Sequence, residues 1–335
     1  MTLDDFLDEW HSPAEVVEVQ TSGSTGTPKR MLVEKRRMLA SARMTCDFLG
    51  LHRGDTSLLC LPLDYIAGKM MVVRSVERDM HLVSVPPSSH PLRDIDSIID
   101  RPIDFAAMVP MQVYESLRVP YEASRLRAIR HLIIGGGAID EALERQLSSF
   151  PNAVWSTYGM TETLSHIALR RVSGPGRTLW YRPFDGVRLS QDADGCLIVH
   201  APAVNPSELF TNDIVEMRHD NTTGGKLFRV LGRRDNIIDS GGIKIQAEEV
   251  ERLLRPHLSC PYMITKVSDE RLGESVVLML ESEPVSLSSL CQAVLPKHWK
   301  PRHILFVPSL PLTPTGKPAR AEAQRMAARM LSGSL

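Results

Sequence analysis

Between residues 15 and about 160, short β-branched or apolar runs alternate with longer stretches of helical character, the pattern of repeated βαβ units. The runs 16–20, 57–61, 81–85, 104–109, 131–134 and 153–157 predict strands. The stretches 34–49, 66–76, 110–117 and 140–150 predict helices, the last with Asp140 as its N-cap. A mostly parallel sheet with covering helices follows. From about 165 to 231 the helical signal fades. Apolar runs at 166–170, 196–200 and 227–231 are separated by Gly, Pro and Asn, which predicts a β-rich subdomain. Strand and helix character resume from 243, with a helix at 247–254 and a strand at 275–281, so the tail reads as a small α+β domain. The expected fold class is α/β: a large N-terminal domain over 1–233 followed by a small C-terminal domain over 234–335. No internal repeat, heptad pattern or low-complexity segment interrupts this reading.

Length and composition agree with it. At 335 residues the chain exceeds the size at which one core stops growing, so two domains are expected. With 43% hydrophobic and 24% charged residues and a net charge of -1, it has no basic field to attract nucleic acid or anionic lipid. Its 5 cysteines (Cys46, Cys60, Cys196, Cys260 and Cys291) are scattered and form no C-x-x-C pair, which argues against a disulfide framework and a zinc site. The acidic N-terminal stretch is no signal peptide and no apolar run reaches spanning length, so a soluble, cytoplasmic protein is expected.

The chemistry concentrates in four segments. Thr21-Ser22-Gly23-Ser24-Thr25-Gly26-Thr27-Pro28-Lys29 holds five hydroxyls, two glycines and an ammonium after a strand-like run. Glycines bring backbone N–H groups close to a ligand, hydroxyls donate to phosphate oxygens and Lys29 supplies positive charge, so the segment suits a polyphosphate. The spacing is not that of the common P-loop; a flexible linker is the plain alternative. Second, Ser156-Thr157-Tyr158-Gly159-Met160-Thr161-Glu162-Thr163 follows a predicted strand and offers an aromatic ring, a hydroxyl and a carboxylate for a base, a phosphate and a magnesium ion. Alone it also reads as a turn with an exposed acid. Third, Gly232-Arg233-Arg234-Asp235 leads through Gly241-Gly242 into the last domain, as suits a hinge or a salt-bridged turn. Fourth, Pro311-Leu312-Thr313-Pro314-Thr315-Gly316-Lys317 presents a lysine on a loop stiffened by prolines.

These segments, with Thr211-Asn212-Asp213, occur in the order and identity that mark one family: the sequence resembles the adenylate-forming acyl-CoA ligases, relatives of luciferases and peptide-synthetase adenylation domains, over residues 15 to about 320. The resemblance implies an ATP site in which Thr21, Ser22, Gly23, Ser24, Thr25, Gly26, Thr27 and Lys29 grip the β- and γ-phosphates and Tyr158 lies against adenine. It further implies that Thr161 contacts the α-phosphate region, Glu162 binds magnesium, and Asp213 with Arg233 holds the ribose hydroxyls. Lys317 would reach the reacting carboxylate and α-phosphate, and Asp235 would be the hinge about which the small domain turns to admit CoA past Gly241 and Gly242. ATP, Mg2+ and CoA are thus the implied partners, with a small-molecule acid.

Three departures from the family pattern stand out. Asn212 replaces the usual glycine before Asp213, and Pro318 follows Lys317 where an aliphatic residue is common. Only about 20 residues precede the phosphate segment, where typical members carry an additional subdomain that helps cover the acyl pocket. Either the remaining sheet closes the pocket, or a second subunit of a homo-oligomer contributes, or activity is lost.

The compact arrangement, with Leu61 to Met71 and Ser165 to Arg170, is most similar to the branch of the family acting on o-succinylbenzoate in menaquinone biosynthesis. That acid has an aromatic ring and two carboxylates, so its pocket needs an apolar slot and a cation or donor for the carboxylate that does not react. Lys69, beside Met70 and Met71, is the first candidate, with His166 and Arg74 in reserve; a helix-surface lysine is the alternative for Lys69. Gly136 and Gly137, ending another strand, would let the acyl group approach the backbone, unless a tight helix-sheet contact explains them. Ligases for other aromatic or aliphatic acids, transfer to a carrier-protein thiol, and a non-catalytic ATP-binding relative are the competing readings.

Overall fold

The computed structural model describes residues 1–20, 30–220, 224–284, 286–313 and 318–333. Helix α1 (Leu3–His11) begins with a reciprocal cap, in which the Thr2 hydroxyl accepts from the Asp5 N–H and the Asp5 carboxylate accepts from the Thr2 N–H. Phe6 and Trp10, four residues apart and so on one helix face, are both buried. Strand β1 (Val16–Gln20) pairs antiparallel with β2 (Arg30–Glu34), Gln20 standing opposite Arg30. Residues 16–20 are therefore a strand as expected, but not one of the parallel sheet. Only Val17 and Val19 are buried, the alternation of a strand covered on one face.

Helix α2 (Lys35–Leu49) ends at left-handed Gly50 and leads into the main sheet. Its elements are β3 (Thr56–Leu59), α3 (Ile66–Arg78), β4 (His81–Ser84), α4 (Ile95–Ile98), β5 (Phe105–Met108), α5 (Pro110–Leu117), α6 (Pro120–Ala128), β6 (His131–Ile134), α7 (Glu141–Ser148), β7 (Ala153–Met160), β8 (Ser165–Arg171) and β9 (Arg182–Pro183). The strand order is β4-β3-β5-β6-β7-β8-β9. The first five strands are parallel, and β8 and β9 run antiparallel. Every residue of β3 and β5 is buried, as a strand covered on both faces requires. Leu59, Phe105 and Ala107 pack on the side of α2 and α3, with Met38, Ala42, Met70 and Met71. Leu58, Ala106 and Met108 pack on the other side, with Val113, Leu126, Leu143 and Leu147 of α5, α6 and α7. Asp140 caps α7 by accepting from the Ala142 and Leu143 N–H groups.

The run 166–170, expected to open the β-rich subdomain, lies instead in β8 of the main sheet. A tight turn after β7 returns the chain beside it, so no crossover helix is needed and the pairing is antiparallel. The β-rich part is a separate four-stranded antiparallel sheet of β10 (Arg188–Gln191), β11 (Cys196–His200), β12 (Leu209–His219) and β13 (Lys226–Arg233). A further sheet has the order β15-β14-β17-β16, with β18 parallel to β17. It is built from β14 (Ile237–Ser240), β15 (Ile243–Gln246), β16 (Tyr262–Asp269), β17 (Gly273–Leu280) and β18 (His303–Phe306). Helices α8 (Ala247–Leu254) and α9 (Ser288–Val294) share one small core with this sheet, and α10 (Arg320–Leu331) forms a second.

Candidate active site

Because β3 to β7 are parallel, their carboxyl ends lie at one edge of the sheet, where open α/β sheets receive ligands. There β6 is followed by exposed Gly136 and Gly137, and Gly136 has φ 78, a conformation that side chains rarely adopt. Strand β7 delivers Tyr158 to the same edge and runs into a turn at Thr161–Thr163, closed by left-handed Leu164. Glu162 is exposed, and Asn205 fixes its backbone by donating from Nδ2 to the Glu162 carbonyl at 3.0 Å. Its carboxylate has no partner among the described residues, which also contain no cluster of three metal-binding side chains. One free carboxylate is the donor set that Mg2+ uses when phosphate oxygens and water complete its shell, so magnesium fits here.

Beside this turn the second sheet brings Asp213 on β12 and Arg233 at the end of β13 into register with each other. Tyr158 donates its hydroxyl to Asp213 Oδ2 at 2.6 Å, and Arg233 Nη1 donates to Asp213 Oδ1 at 3.3 Å. Arg233 also donates from Nε and Nη2 to both oxygens of Asp235, each at 3.0 Å. The four residues singled out for adenine, ribose and hinge roles, Tyr158, Asp213, Arg233 and Asp235, are thus joined in one connected group. Burial first, and then the neighbouring Asp213 charge, push the Tyr158 hydroxyl well above its ordinary range, so it stays protonated and donating. Burial raises Asp235, but its bonds to Arg233 outweigh this and hold it below the usual carboxylate range. The Tyr158 ring stands edge-on to Phe228 with centroids 4.9 Å apart, and Tyr181 stacks on Phe228. Gly241 and Gly242 form the two-residue turn between β14 and β15, both with positive φ, as the hairpin's twist demands.

More than half of the chain, residues 12–189, matches the model of the AMP-binding enzyme family. The chain belongs to this family. It is 29% identical to the 2-succinylbenzoate–CoA ligase of Geobacillus kaustophilus over 339 residues, 91% of this chain and 68% of that protein. Among solved structures it is similar to o-succinylbenzoate CoA synthetase from Bacillus subtilis in complex with its acyl-adenylate intermediate. That match has a TM-score of 0.73 and 25% identity and covers 91% of this chain and 68% of the other. It is also similar to an acyl-CoA synthetase (AMP-forming)/AMP-acid ligase II-like protein from Dyadobacter fermentans. There the TM-score is 0.64 and the identity 32%, over 96% of this chain and 92% of that one.

In this AMP-binding enzyme the segment 21–29 and Lys317 lie outside the described residues. Their flanks are described: β1 pairs with β2 on either side of the first, and Leu312 bridges Pro318 across the second. Three residues beyond Lys317, Arg320 is clamped by both oxygens of Glu251, each at 2.9 Å, and by the Ile264 carbonyl at 2.8 Å.

Two acyl-pocket expectations need correction. Lys69 is 2% exposed, but its ammonium faces the N-terminal segment: it donates to the Glu18 carbonyl at 2.7 Å, lies 3.7 Å from Glu9 Oε2 and sits over the Phe6 ring at 5.2 Å. Committed to α1 and β1, it is a tie between elements and no carboxylate receptor. Lys69→Met should therefore lower stability in denaturant unfolding by about 1–3 kcal/mol, the cost of an acceptor left without its donor. Preference among acids should be unchanged; an altered preference at unchanged stability would return Lys69 to the pocket. His166 is the second correction. Its Nε2 lies 3.1 Å from Thr45 Oγ1 and its Nδ1 3.1 Å from Ser165 Oγ, so neither ring nitrogen is left for a ligand.

The reserve candidate has the opposite character. Arg74 on α3 is 1% exposed, and no carboxylate among the described residues pairs with it. Its Nη2 donates to Ser165 Oγ at 2.6 Å; among the described residues Nη1 meets only Met71 Sδ at 4.0 Å and Nε has no partner. Burial lowers its pKa to about 10, which still leaves it charged at neutral pH. The parts of this group supplied by Ser165 and Thr45 carry no individual signal in the sequence, except that Ser165 adjoins His166.

Proposed function

We propose that this AMP-binding enzyme joins a carboxylic acid to CoA through an acyl-adenylate, and that the acid is o-succinylbenzoate, as in menaquinone biosynthesis. The observation that carries the choice of acid is Arg74: a buried cation on α3 that pairs with no carboxylate among the described residues. Such a group is costly unless an anion completes it, and a second carboxylate on the substrate does so. The relatives that act on 2-succinylbenzoate support the same reading.

In the proposed reaction a carboxylate oxygen of the acid attacks the α-phosphorus of ATP and the bond to the β-phosphate oxygen breaks, releasing pyrophosphate. The CoA sulfur then attacks the acyl carbon, its proton is lost to solvent, and AMP leaves with the C–O bonding electrons. Residues 21–29 hold the β- and γ-phosphates, Thr161 the α-phosphate region, and Asp213 and Arg233 the ribose hydroxyls. Tyr158 places its ring beside adenine while its hydroxyl keeps Asp213 oriented. Lys317 brings positive charge to the carboxylate and α-phosphate, two anions that must otherwise repel. Glu162 would hold a magnesium ion against the phosphates, where it would supply further charge neutralisation. Residues 1–233 carry the ATP and acyl sites, and 234–335, which bear Lys317, form the mobile part, turning about Asp235 so that CoA enters past Gly241 and Gly242.

A panel of acids assayed for CoA-dependent AMP release tests this. o-Succinylbenzoate should exceed benzoate and unbranched aliphatic acids in kcat/KM by at least about tenfold, the worth of one well-placed polar contact. A higher value for another acid would replace the substrate. ATP binding without pyrophosphate exchange for any acid would show a non-catalytic relative.

A further inference from the structure

The hydrogen bonds around Arg74 have a direction. Thr45 Oγ1 gives its proton to the Ser41 carbonyl at 3.2 Å, so at its contact with His166 Nε2 it accepts. His166 is therefore the Nε2–H tautomer, and its bare Nδ1 accepts from Ser165 Oγ at 3.1 Å. With its proton spent on His166, Ser165 Oγ turns a lone pair to Arg74 Nη2 at 2.6 Å. From the Arg74 guanidinium, which only gives, to the Ser41 carbonyl, which only takes, the three groups between them, Ser165, His166 and Thr45, each give once and take once.

A protonated His166 breaks this order, because Ser165 would then face donors on both sides. The site opposes that charge: burial and the nearby Arg74 hold His166 well below its ordinary pKa. The imidazole is also packed, 7% exposed and edge-on to Phe184 with centroids 5.5 Å apart. Ser41, Thr45, Arg74 and His166 are buried and Ser165 is half-buried, and the chain joins α2, α3 and β8, so the links at His166 and Thr45 are shielded from water.

We propose that His166 and Ser165 are positioning residues that fix the Arg74 guanidinium so that its remaining N–H groups meet the substrate's non-reacting carboxylate. This rests on the assignment of that carboxylate to Arg74. His166 touches no substrate; it sets the rotamer of a hydroxyl, and the hydroxyl sets the arginine. The specificity of the enzyme for a diacid is thereby stored three side chains deep.

A double-mutant cycle tests it, with o-succinylbenzoate and ATP affinities read by calorimetry and KM. His166→Phe keeps an aromatic ring against Phe184 and removes both polar contacts. Alone it should weaken o-succinylbenzoate binding about tenfold, the low end for a hydrogen bond to a charged group, with ATP affinity within about twofold of the parent. His166→Gln, which retains a donor and an acceptor, should recover part of the loss. In an Arg74→Met background His166→Phe should have no further effect on the acid. Unchanged acid affinity in the single variant, or an undiminished loss in the Arg74→Met background, would overturn the proposal. If His166→Phe does not fold, Ser165→Ala takes its place in the cycle with the same expected and overturning results. Parent enzyme that fails to bind o-succinylbenzoate would instead refute the assigned substrate, a separate outcome.

Discussion

Lys317→Ala should slow acyl-adenylate formation by about a hundredfold or more, the effect of removing one donor aimed at charge that develops in the transition state. Conversion of a supplied acyl-adenylate with CoA should stay near the parent rate, since by then the carboxylate and phosphate have already been joined. Pyrophosphate exchange reads the first step and thioester formation from isolated adenylate the second. Equal loss in both would mean that Lys317 holds the protein together and does not act in one half-reaction. The flanking residues favour a separable effect: Leu312 bridges Pro318, and Arg320 clamps Glu251 and the Ile264 carbonyl, tying the chain to α8 and β16. The unusual Pro318 therefore sits in a stretch anchored on both sides.

The second large effect is expected at Arg74. Arg74→Met, which leaves an apolar chain of similar reach, should raise the KM for o-succinylbenzoate by about 30-fold or more, since truncating one member of a buried charge pair costs at least about 2 kcal/mol. Stability without ligand should move the other way, unchanged or raised, because an uncompensated buried charge is replaced by hydrocarbon. Kinetics and denaturant unfolding of the same preparation check both signs. A variant that unfolds more easily yet uses the diacid normally would make Arg74 a scaffold residue.

Much of this arrangement was legible in the chain. The strand at 131–134 and the helices at 110–117 and 247–254 matched their observed bounds, Pro110 marking the first position of α5, and Asp140 caps α7 as expected. The misplacement of 16–20 was avoidable: its burial alternates, whereas β3 and β5 are buried throughout, and only the latter pattern belongs to a doubly covered sheet. The error at Lys69 was not. Residues 68–75 of α3 are buried without a break, so no polar face gives the helix a phase. What Lys69 meets depends on α1 and β1 folding back over it, a tertiary fact. His166 stood out in the chain, but its contact with Thr45 could not be read there, since Thr45 stands 121 positions away. Tyr158, Asp213, Arg233 and Asp235 lie together in the fold; their motifs named them, and only the register of β12 with β13 could say that they touch.

The solitary guanidinium inside α3 has one more consequence. Arg74 meets no carboxylate among the described residues, so under the proposed assignment an acid that brings one to it binds the folded state alone and shifts the folding equilibrium by mass action. Heat resistance then becomes a way of asking the protein which metabolite it was shaped for, without waiting for turnover.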